Sequence, residues 1–275
     1  LVLLHALLFW NFMFCFEIQS YQKLYKFTCK GEVGRWKWLQ APICQSTNEM
    51  AHHLLEIGEH KPPFVFQSQE QTAGKGQQNS KWEAEPGKNL TFTMAVPGNK
   101  QEAQWQAFWN MHLCTSLAAW LNEHLLMEGM FQVKWPNDIY AQNKKVAGIL
   151  IQNQLSGYLI ETSLVGIGLN VNQLNFSVEK AMSLSGLTKK TFDLDQLLES
   201  WLQYFAPTMP DLIFEKQAIK KNYLKHLYLF QENHWFQNPE GQKFAGRIAD
   251  VDDQGNLWVE TSNGLRKFAN KEIIY

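Results

Sequence analysis

FQVKWPNDIYAQNKKVAGILI, residues 131 to 151, is a run of short apolar segments parted by turn chemistry. Phe131 to Trp135 reads as a strand. Pro136-Asn137-Asp138 must end it, because proline fixes φ while Asn and Asp favour turns. Ile139-Tyr140 follow, Asn143-Lys144-Lys145 forms a second turn, and Val146 to Ile151 is apolar throughout. Strands this short, joined by polar tips, are antiparallel hairpins rather than crossover units. The next segment, Tyr158 to Val171, extends the same pattern and closes on Gly166-Ile167-Gly168-Leu169-Asn170-Val171-Asn172.

Working outward, Gln101 to Met127 carries Trp105, Phe108, Met111, Leu117, Trp120, Leu121 and Leu125 near helical spacing, with Gly129 as its stop. Before it, Phe64-Val65-Phe66 and Leu90 to Val96 read as strands flanking the loop Gln71-Thr72-Ala73-Gly74-Lys75-Gly76-Gln77, Trp82 and the turn Pro86-Gly87. A helix is expected from Ser46 to about Ile57, with Ser46 and Glu49 at capping-box spacing. Trp36 to Leu39 is the first strand candidate. Beyond Asn175 the pattern turns helical: Asp193 with Gln196 caps Leu194 to Phe205, and Asp211 to Leu227 follows. Gly246 to Val251, Asn256 to Glu260 and Leu265 to Phe268 then read as strands of a small all-β unit. The expected organisation is an α+β unit over 39–227 and a small β domain over 228–275, with 1–38 an extension outside the folded unit.

Composition bounds the function. The 275 residues, 45% of them hydrophobic, can bury a proper core, and the formal charge of −1 argues against bulk nucleic-acid binding. The four cysteines show no CxxC pair and read as reduced thiols of a cytoplasmic protein. Leu1 to Phe16 is apolar, but it lacks the basic start of a secretory signal and is shorter than the roughly twenty residues of a spanning helix, so no membrane association is expected.

The polar residues at strand ends ask for a ligand. Glycines at Gly74 and Gly76 allow backbone N–H groups close to an anion, Lys75 and Lys145 add point charges, and Trp82 offers a flat face for a ring. Taken alone, each has an ordinary alternative. The glycine loop also reads as a polar surface loop, Asp138 as a turn-forming residue, a lysine-orienting carboxylate or a metal ligand, and Lys134 as a solvated strand residue. Ser46 and Glu49 are accounted for by capping, which leaves Thr47 and Asn48 to face a pocket. Gly74-Lys75-Gly76 lacks the spacing of a P-loop, Gly166-Ile167-Gly168 lacks the third glycine of a dinucleotide fingerprint, and no GxSxG elbow occurs.

As an ordered set these motifs resemble the biotin–protein ligases, also called biotin–[acetyl-CoA-carboxylase] ligases. The residues that carry the likeness are Ser46-Thr47-Asn48, Gln71 to Gly76 with Trp82, Lys134 to Asp138, Lys145 to Leu150 and Gly166 to Asn172. The likeness spans about residues 39 to 275. It implies a mixed, largely antiparallel sheet with packed helices, of the class II aminoacyl-tRNA synthetase-like type, plus a C-terminal SH3-like barrel. It also implies a two-step reaction: biotin and ATP with Mg2+ give biotinyl-5′-AMP, and a lysine of a biotin carboxyl carrier domain then takes the biotinyl group.

The resemblance assigns Ser46, Thr47, Asn48, Gln71, Gly74, Lys145 and Gly148 to biotin. It assigns Gly74, Lys75, Gly76, Gln77, Trp82, Asn137, Lys145 and Asn170 to the nucleotide and adenylate, with Gly168 lining the pockets. Lys145, Asp138 and Lys75 carry the chemistry, and no residue is assigned to a metal. Where many members have an arginine-rich GRGRxGR loop, this chain has Gly74-Lys75-Gly76-Gln77-Gln78-Asn79-Ser80, which implies weaker retention of the adenylate. Residues 1 to 38 are too few for a winged-helix domain, so no DNA binding is expected. The likeness admits a homodimer. A lipoate or octanoate–protein ligase and a non-catalytic binding module of the same fold are the alternatives.

Overall fold

Strict alternation along the central strands, with both alternating sets apolar, demands cover on both faces of a sheet. A computed structural model of the chain, which describes residues 27–77, 80–99, 101–208 and 212–275 with the side chains of 212–214 excepted, supplies that cover. In chain order the elements are β1 (Thr28–Val33), β2 (Trp36–Cys44), α1 (Thr47–Glu56), β3 (Phe64–Gln71), β4 (Leu90–Pro97), α2 (Gln106–His124), β5 (Gln132–Lys134), β6 (Asp138–Ala141), β7 (Lys144–Ser156) and β8 (Leu159–Leu169). Then come α3 (Leu184–Thr188), α4 (Leu194–Phe205), α5 (Leu212–Lys225), β9 (Asn233–Gln237), β10 (Lys243–Val251), β11 (Leu257–Thr261) and β12 (Gly264–Phe268).

The first eight strands form one sheet in the order β1-β2-β3-β4-β8-β7-β6-β5. Among the described residues its pairings are antiparallel except β2 with β3, which are parallel and joined through α1. Phe64, Phe66, Ala95 and Leu164 point to one face and pack with Met50, Ala51 and Leu54 of α1. Val65, Met94, Val96, Val165 and Ile167 point to the other, beneath α2, α4 and α5. The fold is thus the expected mixed, largely antiparallel sheet with packed helices. Helix α2 is buried almost all round, because the sheet lies on one side and α4 and α5 on the other. Asp193 caps α4 by accepting from the backbone N–H of Asp195 and Gln196 at 2.9 and 3.0 Å, which supports the buried stripe Leu197, Leu198, Trp201, Leu202 and Phe205.

The last four strands form a second antiparallel sheet, β12-β11-β10-β9, around Phe236, Ile248, Leu257, Val259 and Phe268. It is tied to the rest of the fold where Trp135 Nε1, just after β5, donates to the carbonyl of Gly255 at 2.8 Å and Lys220 of α5 meets Asp250 at 2.8 Å.

Four expectations need correction. Residues 28 to 38, assigned to an extension outside the folded unit, form β1 and the start of β2, at the sheet edge. The pattern hid β1 because all of it but Val33 is exposed, so it carries no apolar alternation. Helix α2 runs over Gln106–His124, not Gln101 to Met127: a 3-10 turn at Ala103–Trp105 precedes it, and Leu126 at φ 53° stops it before Gly129. Strand β9 was not foreseen. The capping box at Ser46 is absent: Ser46 is the N-cap residue, but its side chain makes no capping hydrogen bond. The apolar run Leu1 to Phe16 lies outside the described residues, among which no helix is long and apolar enough to cross a membrane.

Candidate active site

A cavity of about 530 Å³ opens where β2 and β3 end, above the middle of the sheet. Its floor, at Gly168, Gly148 and Asp138, is part of a longer row set by strand register. Ser68, Thr91, Gly168, Gly148 and Asp138 stand opposite one another in turn across β3, β4, β8, β7 and β6, so their side-chain positions share one face. Glycine in the middle of that row leaves room for other groups to approach the backbone. A Cβ on Gly168 would stand 2.3 Å from Cε2 of Trp82, whose ring therefore lies directly over this glycine.

The wall is the first turn of α1. Gln71, the last residue of β3, accepts from the Thr47 backbone N–H at 2.8 Å and from Thr47 Oγ1 at 3.2 Å through its Oε1. Thr93 Oγ1 donates to Asn48 Oδ1 at 2.6 Å and reaches Thr47 Oγ1 at 2.9 Å. Asn48 Nδ2 donates to Gln152 Oε1 at 2.9 Å. Ser46, Thr47 and Asn48 are all buried. Both sides of the Asn48 amide are engaged, so the wall is held in one arrangement before any ligand arrives.

The electrostatic centre is the pair Lys145–Asp138, 2.7 Å apart and only partly exposed. Lys145 Nζ also lies 5.6 Å from the centre of the Trp82 ring. Asn170 does not line the cavity; its Nδ2 donates to the carbonyls of Met182 and Lys145, at 3.2 and 3.4 Å, and so steadies the backbone that carries Lys145. Asn137 lines the cavity, and its Nδ2 donates to the carbonyl of Ile149 at 2.5 Å, tying the turn after β5 to β7. Gly74 sits just behind the lining, where a Cβ would meet the carbonyl oxygen of Trp82 at 2.8 Å.

The glycine loop roofs the cavity with Lys75, Gly76 and Gln77. Lys75 is paired with Glu49 at 2.5 Å, which explains why Glu49 does not cap α1. Gln77 Oε1 accepts from Asn270 Nδ2 at 2.6 Å. Gln78 and Asn79 lie outside the described residues.

Three participants went unnoticed in the sequence. Thr93 and Gln152 hold the wall, and Asn270, Lys271 and Ile273 to Tyr275, after the last strand, line the cavity from the small sheet. Lys134, read above as a solvated strand residue, is also in the lining. Burial holds its ammonium below the usual lysine range; Lys180 and Lys145 push the same way, while Asp138 opposes them. Among the described residues, no group of three or more His, Cys, Asp and Glu side chains is gathered for a metal, and Asp138 is the only acidic residue lining the cavity.

Known proteins resemble this chain in sequence and in fold. Residues 41–170 match the model of the Biotin/lipoate A/B protein ligase family. The bifunctional ligase/repressor BirA of Bacillus subtilis (strain 168) is 25% identical over 264 residues, 90% of this chain and 77% of the relative. The biotin–[acetyl-CoA-carboxylase] ligase of Mycobacterium tuberculosis is 25% identical over 245 residues, 86% of this chain and 90% of the relative. Among solved structures, biotin protein ligase from Aquifex aeolicus in complex with biotin and ATP superposes with a TM-score of 0.66, covering 88% of this chain and 98% of that one at 24% identity. The matched residues 41–170 hold the cavity's wall, roof and floor, so the likeness to the Biotin/lipoate A/B protein ligase family falls on the site itself.

Proposed function

We propose that this chain activates biotin with ATP to biotinyl-5′-AMP and transfers the biotinyl group to a lysine of a biotin carboxyl carrier domain. The observation that carries this reading is the meeting, in one cavity, of the Lys145–Asp138 pair with the Ser46 to Asn48 wall and a glycine-loop roof.

In the first step a carboxylate oxygen of biotin attacks the α-phosphorus of ATP and pyrophosphate leaves. Negative charge gathers where carboxylate and phosphate meet, and Lys145, already oriented by Asp138, stands there to stabilise it. Ser46, Thr47, Asn48 and Gln71 present fixed polar groups to the biotin head, while Trp82 offers its ring to adenine. In the second step the carrier lysine attacks the acyl carbon and AMP leaves. That amine must first lose a proton, because a lysine at neutral pH is charged. Asp138 is the carboxylate at hand to take it. Lys75, Gly76 and Gln77 cover the activated acyl group and keep water from it. Magnesium would arrive with the nucleotide's phosphates rather than in a cage of side chains. The small β unit of residues 228–275 completes the cavity through the segment that follows its last strand.

The test is ATP–pyrophosphate exchange with biotin, and with lipoate or octanoate in its place. Exchange with biotin alone is expected; exchange with lipoate or octanoate but not biotin, or with no acid, would overturn the reading. Lys145→Ala is expected to lose exchange by about 100-fold or more. Asp138→Ala is expected to lose less than about tenfold in exchange but about 100-fold in transfer to the carrier. Two variants that both kept full activity would remove the role assignments.

A further inference from the structure

Of the cations around the cavity, Lys145 is committed to Asp138 and Lys75 to Glu49. Lys134 is different. It is largely buried, lines the cavity, and has no carboxylate within ion-pair distance among the described residues. Its neighbours are aromatic faces: the ring centre of Tyr275 is 4.3 Å from Nζ and that of Tyr140 is 5.4 Å away. A ring face stabilises an ammonium without neutralising it, so the charge stays available to an incoming anion.

The two rings are fixed by unrelated parts of the chain. Tyr140 is on β6, two residues beyond Asp138, and its ring packs against Tyr228 at 5.7 Å. Tyr275 is on the segment that follows β12. That segment is clamped to β9 by reciprocal backbone hydrogen bonds between Gln237 and Ile274, at 2.9 and 2.8 Å. The Tyr275 ring itself packs edge-on against Phe236 at 5.3 Å. The small sheet therefore delivers a rigid aromatic face into a cavity whose Lys134 and Lys145–Asp138 pair come from the large one.

We infer that Tyr275 is a positioning residue for the adenylation reaction: with Tyr140 it holds Lys134 so that its ammonium receives the pyrophosphate portion of ATP. This rests on the adenylation reading of the cavity and deepens it. Lys145 serves the atoms that react; Lys134 serves the group that leaves. The rings keep Lys134 extended and partly dehydrated, and its charge is first compensated when the polyphosphate enters. Tyr275 never touches the reacting atoms in this scheme; its effect passes through Lys134 alone.

The experiment compares Tyr275→Leu and Tyr275→Phe, each alone and with Lys134→Met, in biotin-dependent ATP–pyrophosphate exchange. Tyr275→Leu is expected to raise KM for ATP and for pyrophosphate about tenfold, with KM for biotin unchanged. Tyr275→Phe keeps the ring and is expected to behave as wild type. In the Lys134→Met background neither change is expected to matter further. Equal effects on the biotin and ATP constants, a full Tyr275→Leu effect without Lys134, or no effect of Tyr275→Leu would each overturn the proposal. Calorimetric titration with inorganic pyrophosphate reads the same coupling without turnover. If wild type binds pyrophosphate with this Tyr275 and Lys134 dependence but supports no exchange, the adenylation reading fails and the positioning role stands.

Discussion

Gly166 and Gly168 sit two residues apart on β8 and are glycines on account of two different neighbours. Neither has a positive φ, so backbone freedom is not the reason; close approach is. A Cβ on Gly166 would lie 2.2 Å from Asn48 Oδ1, and one on Gly168 2.3 Å from the Trp82 ring. Overpacking of this kind costs about 1–3 kcal/mol. Gly166→Ala is therefore expected to raise KM for biotin about tenfold and leave that for ATP alone, while Gly168→Ala does the reverse. Separate KM measurements in the exchange assay check this, and identical profiles for the two variants would refute it. The glycine-rich motif was plain in the sequence, but its partners were not, since Asn48 and Trp82 lie far away along the chain. Ser46 and Glu49 teach the converse: their spacing suited a local cap, yet Glu49 is taken by Lys75 and Ser46 lines the cavity. A short motif predicts a hydrogen bond only when no tertiary partner competes for it.

Among elements, the roof loop bears on the expectation of weaker adenylate retention. Lys75 pairs with Glu49, and Gln77 is held by Asn270. The loop's side chains are thus directed to the protein at both points, and neither supplies a forked contact to phosphate. Gln77→Arg is expected to slow release of biotinyl-AMP about tenfold, as read by single-turnover trapping of the free adenylate. Equal release from wild type and variant would show that retention does not depend on this position. Elements with strong alternation, such as β4, β7 and β8, were legible from sequence. Strand β1 was not, because it is exposed, nor was the Asn270 to Tyr275 segment, because its pairing partner on β9 is more than thirty residues back.

For the molecule as a whole, acid sensitivity has an identifiable source. His112 on α2 stacks against Trp109 at 5.9 Å and faces Phe205 at 6.0 Å. Burial pushes its pKa down from 6.5 to about 4, although a hydrogen bond with the Thr208 backbone partly opposes this. The unfolded chain therefore binds this proton more readily than the folded one. Stability from this group is complete above about 6.5 and declines as pH falls toward 4, by on the order of 3 kcal/mol. His112→Phe is expected to flatten that part of the acid limb in urea unfolding followed from pH 7 to 4; a limb of unchanged slope would assign the loss to other groups. That helices pack on a mixed, largely antiparallel sheet was expected from the sequence. The joining of the small sheet to the active cavity was not, since it rests on non-local contacts such as Trp135 with Gly255.

The parallel pairing of β2 with β3 has a consequence for how such a protein can change over generations. Cys44 and Gln71 are register partners, and beyond them Thr72 and Ala73 donate to the carbonyls of Cys44 and Gln45, both at 2.9 Å. The two strands thus hand over side by side, one into the ligand-facing wall and the other into the roof. At its far stem the roof is anchored again, where Gly87 donates to Gln69 at 2.9 Å. Between these moorings, substitutions fall on a span that the sheet does not need. Heritable variation can accumulate there while the neighbouring wall keeps its shape.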